Sequence, residues 1–106
     1  MLDALVACKK IQTYTEGQTL EMYQADEMRR LAIERLLTIL SEAFSRINDV
    51  DPSFRDHFPD LGKIIGARNR IIHGYDSVSD VIIWNALKDK IPNLTANLAA
   101  WLEENP

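Results

Sequence analysis

Apolar residues recur along this chain at helical intervals, and the period-two alternation of a half-buried strand is absent, so the pattern predicts an all-α protein. The first periodic segment runs from about Leu2 to Tyr14, with Leu2, Leu5, Val6 and Ile11 on a thin stripe that Thr15-Glu16-Gly17 terminates. The second runs from Thr19 to about Ile47. It carries Met28, Leu31, Ala32, Ile33, Leu36, Leu37, Leu40, Ala43, Phe44 and Ile47, backed by Glu34, Thr38, Ser41, Glu42 and Ser45. A face this wide has to touch two neighbours. Arg30 with Glu34 and Glu42 with Arg46 stand one turn apart with opposite charge, and are expected as outer-face ion pairs worth roughly 0.2–0.5 kcal/mol each. Asn48-Asp49-Val50-Asp51-Pro52 ends the segment, since Asp and Pro are turn formers.

A third, shorter segment opens after Phe58-Pro59 with Asp60 as its expected cap. It ends near His73, where Gly74 can take the positive φ of a helix terminus. A fourth opens on Ser77-x-x-Asp80, a Ser/Asp version of the capping box. It strings Trp84, Leu87, Ile91, Leu94, Leu98 and Trp101 at spacings of 3, 4, 3, 4 and 3, a narrow seam of the coiled-coil type. Pro92 lies inside that seam, where it removes a backbone hydrogen bond and costs about 3 kcal/mol in a straight helix. The register survives it, so the expectation is one helix kinked at Pro92 or two collinear pieces that share a buried face. Trp84 and Trp101 fall on the seam and read as core, not as a ligand platform. Without repeats, linkers or low-complexity stretches, residues 1–106 form a single domain, an antiparallel bundle of four or five helices.

Composition narrows what such a bundle can do. With 106 residues the chain can bury roughly two-thirds of its unfolded surface. That suffices for one core, and a deep, many-walled active site would need a second chain. Sixteen acidic against 12 basic residues give a net charge of −4, which argues against a sequence-independent duplex binder but leaves room for a short local contact with nucleic acid. Cys8 is the single cysteine, which excludes an intramolecular disulfide, suits a reducing compartment and reads as a small apolar helix residue. Leu5-Val6-Ala7-Cys8 looks like a lipoprotein cleavage box, but it lacks a basic leader and an adequate apolar stretch, and Asp3 interrupts it. No uninterrupted apolar run approaches the roughly 20 residues of a membrane helix. The expectation is a soluble, cytoplasmic protein without membrane association.

The longest stretch without a carboxylate, Leu61 to Tyr75, carries Lys63, Arg68 and Arg70 and makes a positive island in an acidic chain. Arg68 has Ile64 and Ile65 one turn before it and Ile71 and Ile72 one turn after it, so its guanidinium emerges from an apolar face. Burying it unpaired would cost several kcal/mol. It therefore needs a carboxylate from another helix, a subunit interface or an anionic ligand. Asn69 and His73 share a face, with Arg70 beside the histidine. An imidazole that titrates near neutrality and an arginine that can grip a phosphate are the minimum kit for phosphodiester cleavage without a metal, because RNA carries its own nucleophile in the ribose 2'-OH. Arg68 and His73 are nevertheless about 140° apart on a regular helix. The helix breaks at His73-Gly74, or the arginine curls back, or two copies of the segment build the site across a two-fold axis. Elsewhere, His57 reads as a surface loop residue, Lys9, Lys10, Arg29 and Arg30 as solvated faces, and Tyr14 and Tyr23 receive no role.

Arg68-Asn69-Arg70-Ile71-Ile72-His73-Gly74-Tyr75 matches the pattern Arg-x4-His-x-Tyr with a polar residue directly after the arginine, and the chain thereby resembles the HEPN superfamily, specifically the HepT-like toxins. A short first helix, a long second one, the motif on a third and an Ile-Pro-Asn-Leu break in the last extend the resemblance over most of the chain. The resemblance implies a homodimeric HEPN-like bundle that acts as a metal-independent endoribonuclease with no cofactor. It would be the toxin of a type VII-like toxin–antitoxin pair whose partner is a minimal nucleotidyltransferase. By motif position, Arg68 would stabilise the scissile phosphate of the RNA substrate and His73 would be the general base or acid. Asn69 would orient the site, with Arg70 in support, and Tyr75 would be the hydroxyl that receives AMP and silences the toxin. Two other readings compete: a non-catalytic helical subunit that helps a nucleotidyltransferase hold nucleotide, and a structural bundle with Arg68 in a salt bridge.

Overall fold

The computed structural model describes residues 1–72 and 77–105, and within these the side chains of all but 55, 67, 70–72 and 77–79. In chain order the elements are α1 (Leu2–Thr15), α2 (Leu20–Ala25), α3 (Glu27–Val50), a 3-10 turn (Pro52–His57), α4 (Leu61–Ile72), α5 (Ser77–Asp89) and α6 (Ile91–Glu104). The chain is all-α, as its periodicity predicts. Among the described residues there are six α-helices, one more than the expected upper number, because the second segment is divided at Asp26 in addition to the expected split near Pro92.

The first division falls at Asp26. Thr19 caps α2, its hydroxyl accepting from the Met22 N–H at 3.2 Å, and Asp26 caps α3, its carboxylate accepting from the Arg29 N–H at 3.0 Å. An extended residue at Asp26 (φ −103°, ψ 91°) separates the two. The cations nearby serve this break. Arg30 donates to the Gln24 carbonyl instead of pairing with Glu34, and Arg29 reaches both Asp26 and, at 2.6 Å, the Tyr14 carbonyl. α1 has no basic residue in its own last turn, and it is completed from outside: Lys88 donates to the Thr15 carbonyl at 3.3 Å, opposite Arg29 on Tyr14. Just beyond, Gly17 turns the chain at φ +69°, a conformation that costs a residue without Cβ little.

The other expected ion pair is also replaced, because Arg46 reaches Asp3 at 3.1 Å rather than Glu42. That contact at one end and Arg29 on Tyr14 at the other make α1 and α3 antiparallel. Ala4, Leu5, Ala7, Cys8 and Ile11 of α1 pack on Ile33, Leu36, Leu37, Leu40, Ala43 and Phe44 of α3 and on Ile91, Leu94 and Leu98 of α6. Met28 and Leu31, expected on this face, are 84% and 56% exposed. They belong to the row that continues through Arg35 and Glu42, which faces solvent. Cys8 lies fully inside, as expected of an apolar helix residue, and burial pushes its thiol up to about 12.

The second division, between α5 and α6, hardly disturbs the helical path. Lys90 stays in the right-handed region, its N–H donates to the Ala86 carbonyl, and its carbonyl accepts from Leu94. Pro92 thus sits in the first turn of α6, where its missing N–H would have had no partner. The seam is buried from Trp84 through Leu98, with Trp101 partly covered. Tyr23 of α2 lies against Trp84, ring centroids 5.2 Å apart. The 3-10 turn is an element that periodicity did not predict. Asp51 opens it by accepting from the backbone and hydroxyl of Ser53, and it plants Phe54 among Phe44, Phe58 and Trp101. His57 is exposed, as expected. Among the described residues, no helix is long and apolar enough to cross a membrane.

Candidate functional site

The helix that carries the motif is wedged between α3 and α5. Leu61 and Ile64 are buried under it, and Asp60 meets Lys90 at 3.8 Å where α4 and α6 begin. Against α3 it runs antiparallel: Leu61 and Ile65 share a small cavity with Asn48, Ser45 and Phe44, and one turn or two further on Arg68 lines a larger cavity with Ser41 and Ser45. Against α5, Lys63 and Gly66 line a cleft with Ile82, Asn85, Ala86 and Asp89.

Arg68 emerges half-buried into the cavity between α3 and α4, which has a volume of about 320 Å³ and is lined by Ser41, Glu42, Ser45, Arg46 and Arg68. One guanidinium nitrogen, Nη1, donates to the side-chain oxygen of Asn69 at 3.2 Å. Neighbouring residues on a helix diverge by about 100°, so this contact depends on the long arginine side chain bending round. The structure thus brings Arg68 and Asn69 together. The Arg68 Nε is buried and has no partner among the described residues. Glu42 lines the same cavity, yet among the described residues no carboxylate pairs with Arg68 within 4 Å. His73, Gly74 and Tyr75 lie outside the described residues, and so does the side chain of Arg70.

Ser41 is the residue whose place differs most from its reading in the sequence. Set there among the outer polar positions, it is only 7% exposed, and its hydroxyl finds no partner. The Asn48 side-chain oxygen is in the same condition. Ser41, Ser45 and Asn48 are spaced i, i+4, i+7, which is one face of a helix. That polar row beside the apolar row Leu37, Leu40, Phe44, Ile47 was the available signal for a second, polar contact of α3.

The remaining titratable groups are explained by packing. The Asp26 carboxyl is held below its ordinary value chiefly by the Arg29 backbone N–H it accepts from. Burial raises Glu34, against the opposing pull of Arg30 and with the help of Asp80. Burial likewise raises the Tyr23 phenol. Lys9 and Lys10 are exposed as expected, whereas Arg29 and Arg30 are half-buried in the capping contacts described above. Among the described residues, no three His, Cys, Asp or Glu side chains come together as a metal site would require.

Fold and site together define a compact all-α bundle with an arginine, its Nε unpartnered among the described residues, beside a cavity between two of the helices. The sequence profile described as "Ribonuclease HepT-like" matches residues 4–100, and the chain belongs to that family, as the Arg-x4-His-x-Tyr pattern suggested. It is 27% identical over 96 residues to a Methanocaldococcus jannaschii protein whose name provisionally makes it an RNase, covering 89% of this chain and 85% of the relative. It is 28% identical over 95 residues to a Thermococcus cleftensis protein named a probable ribonuclease HepT, covering 87% of this chain and 83% of the relative. No solved structure gives a significant match.

Proposed function

We propose that this chain is a metal-independent endoribonuclease, the toxin of a toxin–antitoxin pair, and that it works as a homodimer. The observation that carries the reading is Arg68: a guanidinium that donates to Asn69, in a residue lining the cavity between α3 and α4, with a buried N–H that has no acceptor among the described residues, in a chain of a ribonuclease family. A guanidinium can bind a phosphodiester and hold the extra negative charge of the phosphorane.

In the reaction, the ribose 2'-OH loses its proton to a general base and its oxygen attacks the adjacent phosphorus. The bond from phosphorus to the 5'-oxygen breaks as that oxygen takes a proton, leaving a 2',3'-cyclic phosphate and a 5'-hydroxyl. His73 is the acid or base and Arg68 holds the phosphorane, with Asn69 and Arg70 in support. A second copy of α4 across a two-fold axis supplies the wall that so small a chain lacks. A minimal nucleotidyltransferase would silence the toxin by joining the Tyr75 oxygen to the α-phosphorus of ATP, with pyrophosphate as the leaving group. AMP there would fill the cleft and occupy the cations that RNA needs.

The test is cleavage of cellular RNA by the purified chain in the presence of EDTA. Arg68→Ala and His73→Ala are expected to lose activity with the helical circular dichroism intact, and cleavage that the chelator stops would refute metal independence. Coexpression with a minimal nucleotidyltransferase encoded beside this chain should, if the pairing holds, add adenylyl mass that Tyr75→Phe abolishes.

A further inference from the structure

Among the described residues, the threonines inside the helices satisfy their own hydroxyls. Thr13, Thr15, Thr38 and Thr95 each donate to the carbonyl one turn earlier, to Lys9, Ile11, Glu34 and Ile91. Ser41 does not. Its hydroxyl is buried and unpartnered, as is the Arg68 Nε among the described residues, and the two residues line one cavity. These are two polar groups on facing helices, a hydroxyl that can donate or accept and an N–H that can only donate, and an anionic oxygen between them could accept from both. A buried donor left unpaired in the free protein loses its hydration without recompense, so the cavity is complementary to a ligand whose oxygens accept hydrogen bonds and carry negative charge.

We propose that Ser41 and Arg68 together hold one phosphate of the RNA backbone, which makes α3 the second wall of the substrate cleft. The proposal rests on the ribonuclease reading above and adds to it a binding residue that the motif does not contain. A volume of about 320 Å³ accommodates a phosphate with part of its ribose. At the rim, Ser45 is exposed and can offer a further hydroxyl. Arg46 is tied to Asp3 by an exposed ion pair of the kind that contributes little and is readily exchanged for a phosphate. Glu42, also exposed at the rim, opposes the anion, and the two arginines outweigh it.

The experiment compares the parent chain with Ser41→Ala, Arg68→Met and the double variant. Binding is read by anisotropy of a labelled single-stranded RNA whose riboses are 2'-O-methylated and so resist cleavage, and turnover is read on the unmodified RNA. Ser41→Ala is expected to raise Kd and KM about tenfold with kcat within about twofold, because it removes a hydrogen bond to a charged group. Its thermal midpoint is expected to stay level or rise, since an unsatisfied buried hydroxyl is gone. In the Arg68→Met background, Ser41→Ala should add little, the non-additivity of two groups that share one ligand. Unchanged Kd and KM in Ser41→Ala, in a parent that binds and cleaves RNA, would overturn this proposal and leave the ribonuclease reading standing. So would full additivity, or a fall in the midpoint, which marks a structural role. A parent that neither binds nor cleaves RNA would overturn both.

Discussion

The join between α3 and α4 depends on Phe54, and its removal tests how the site helix is held. The residue is 3% exposed, with its ring 5.9 Å from Phe44, 4.9 Å from Phe58 and 5.2 Å edge-on from Trp101. A phenylalanine buried to this degree hides about 150–250 Å², or roughly 4–6 kcal/mol at about 25 cal/mol per Å². Alanine keeps a small part of that contact, and the ring lies between α3, α6 and the connection that leads into α4, which cannot all collapse onto the gap. Phe54→Ala should therefore cost about 3–5 kcal/mol, in line with core aromatic truncations generally. For a domain of this size that lowers the thermal midpoint by roughly 15–30 °C. Phe54→Leu, which fills most of the volume, should cost about 1 kcal/mol. Urea unfolding at 25 °C, followed by tryptophan fluorescence and far-ultraviolet circular dichroism, measures both, with the slope on urea unchanged if only the native packing is altered. Native fluorescence should shift as well, because Trp101 loses its edge-on neighbour. A loss below about 1.5 kcal/mol for the alanine variant with an unchanged slope would mean that the 3-10 turn does not carry the load assigned to it.

Two further outcomes follow from titrating groups. With its thiol pushed from 9.0 up to about 12, Cys8 should be about one ten-thousandth thiolate at pH 8 against roughly a tenth when unfolded, so a disulfide reagent should label it about a thousand times more slowly in buffer than in urea; labelling within minutes in buffer would contradict its burial. The same raised value means the neutral thiol favours the fold, so its stabilisation is full below pH 9.0 and is lost as the pH climbs through about 12, by up to about 1.4 kcal/mol per pH unit, a decline that Cys8→Ala should flatten. Asp26 has the opposite sign: the extra stabilisation by its charged carboxyl is present above the ordinary value of 3.8 and is lost as the pH falls through the depressed one, so Asp26→Ala should lower the midpoint at pH 7 and the gap should narrow in acid, and a gap that does not narrow would refute the charged cap.

How far the sequence could be read depended on the range of the interaction that decided each feature. The seam from Trp84 to Trp101 was legible because its 3, 4 spacing is a property of neighbouring residues alone, and a proline that falls in the first turn of a new helix leaves that spacing intact. The break at Asp26 was not, because Asp26 differs little by itself from polar residues such as Ser41 and Ser45 that α3 carries in its interior. Arg29 and Arg30 settle the matter by closing carbonyls on α1 and α2, one of them at a residue far earlier in the chain. For the same reason Arg46 left Glu42 for Asp3: a one-turn pair on an exposed helix face is weak enough to lose to any better-placed partner. Phe54 sits in a stretch too short for periodicity to act on.

The site was legible by half, and the division follows the chain. Arg68 stood out because a carboxylate-free stretch in an acidic protein is visible in sequence, and an arginine amid isoleucines demands a partner. Ser41 sits on another helix, and a serine followed directly by Glu42 reads as an outer position until something packs over it. Only the antiparallel pairing of α3 with α4 brings the two into one cavity. A bundle built for stability alone would fill the facing positions Ser41, Ser45 and Asn48 with apolar side chains, as α3 does toward α1. The polar row, with two of its groups buried and unsatisfied, departs from what packing requires along the face that holds the arginine. Local departures of that kind are where a fold gives up stability for function, which is why the orphaned hydroxyl of Ser41 locates the rest of the cleft.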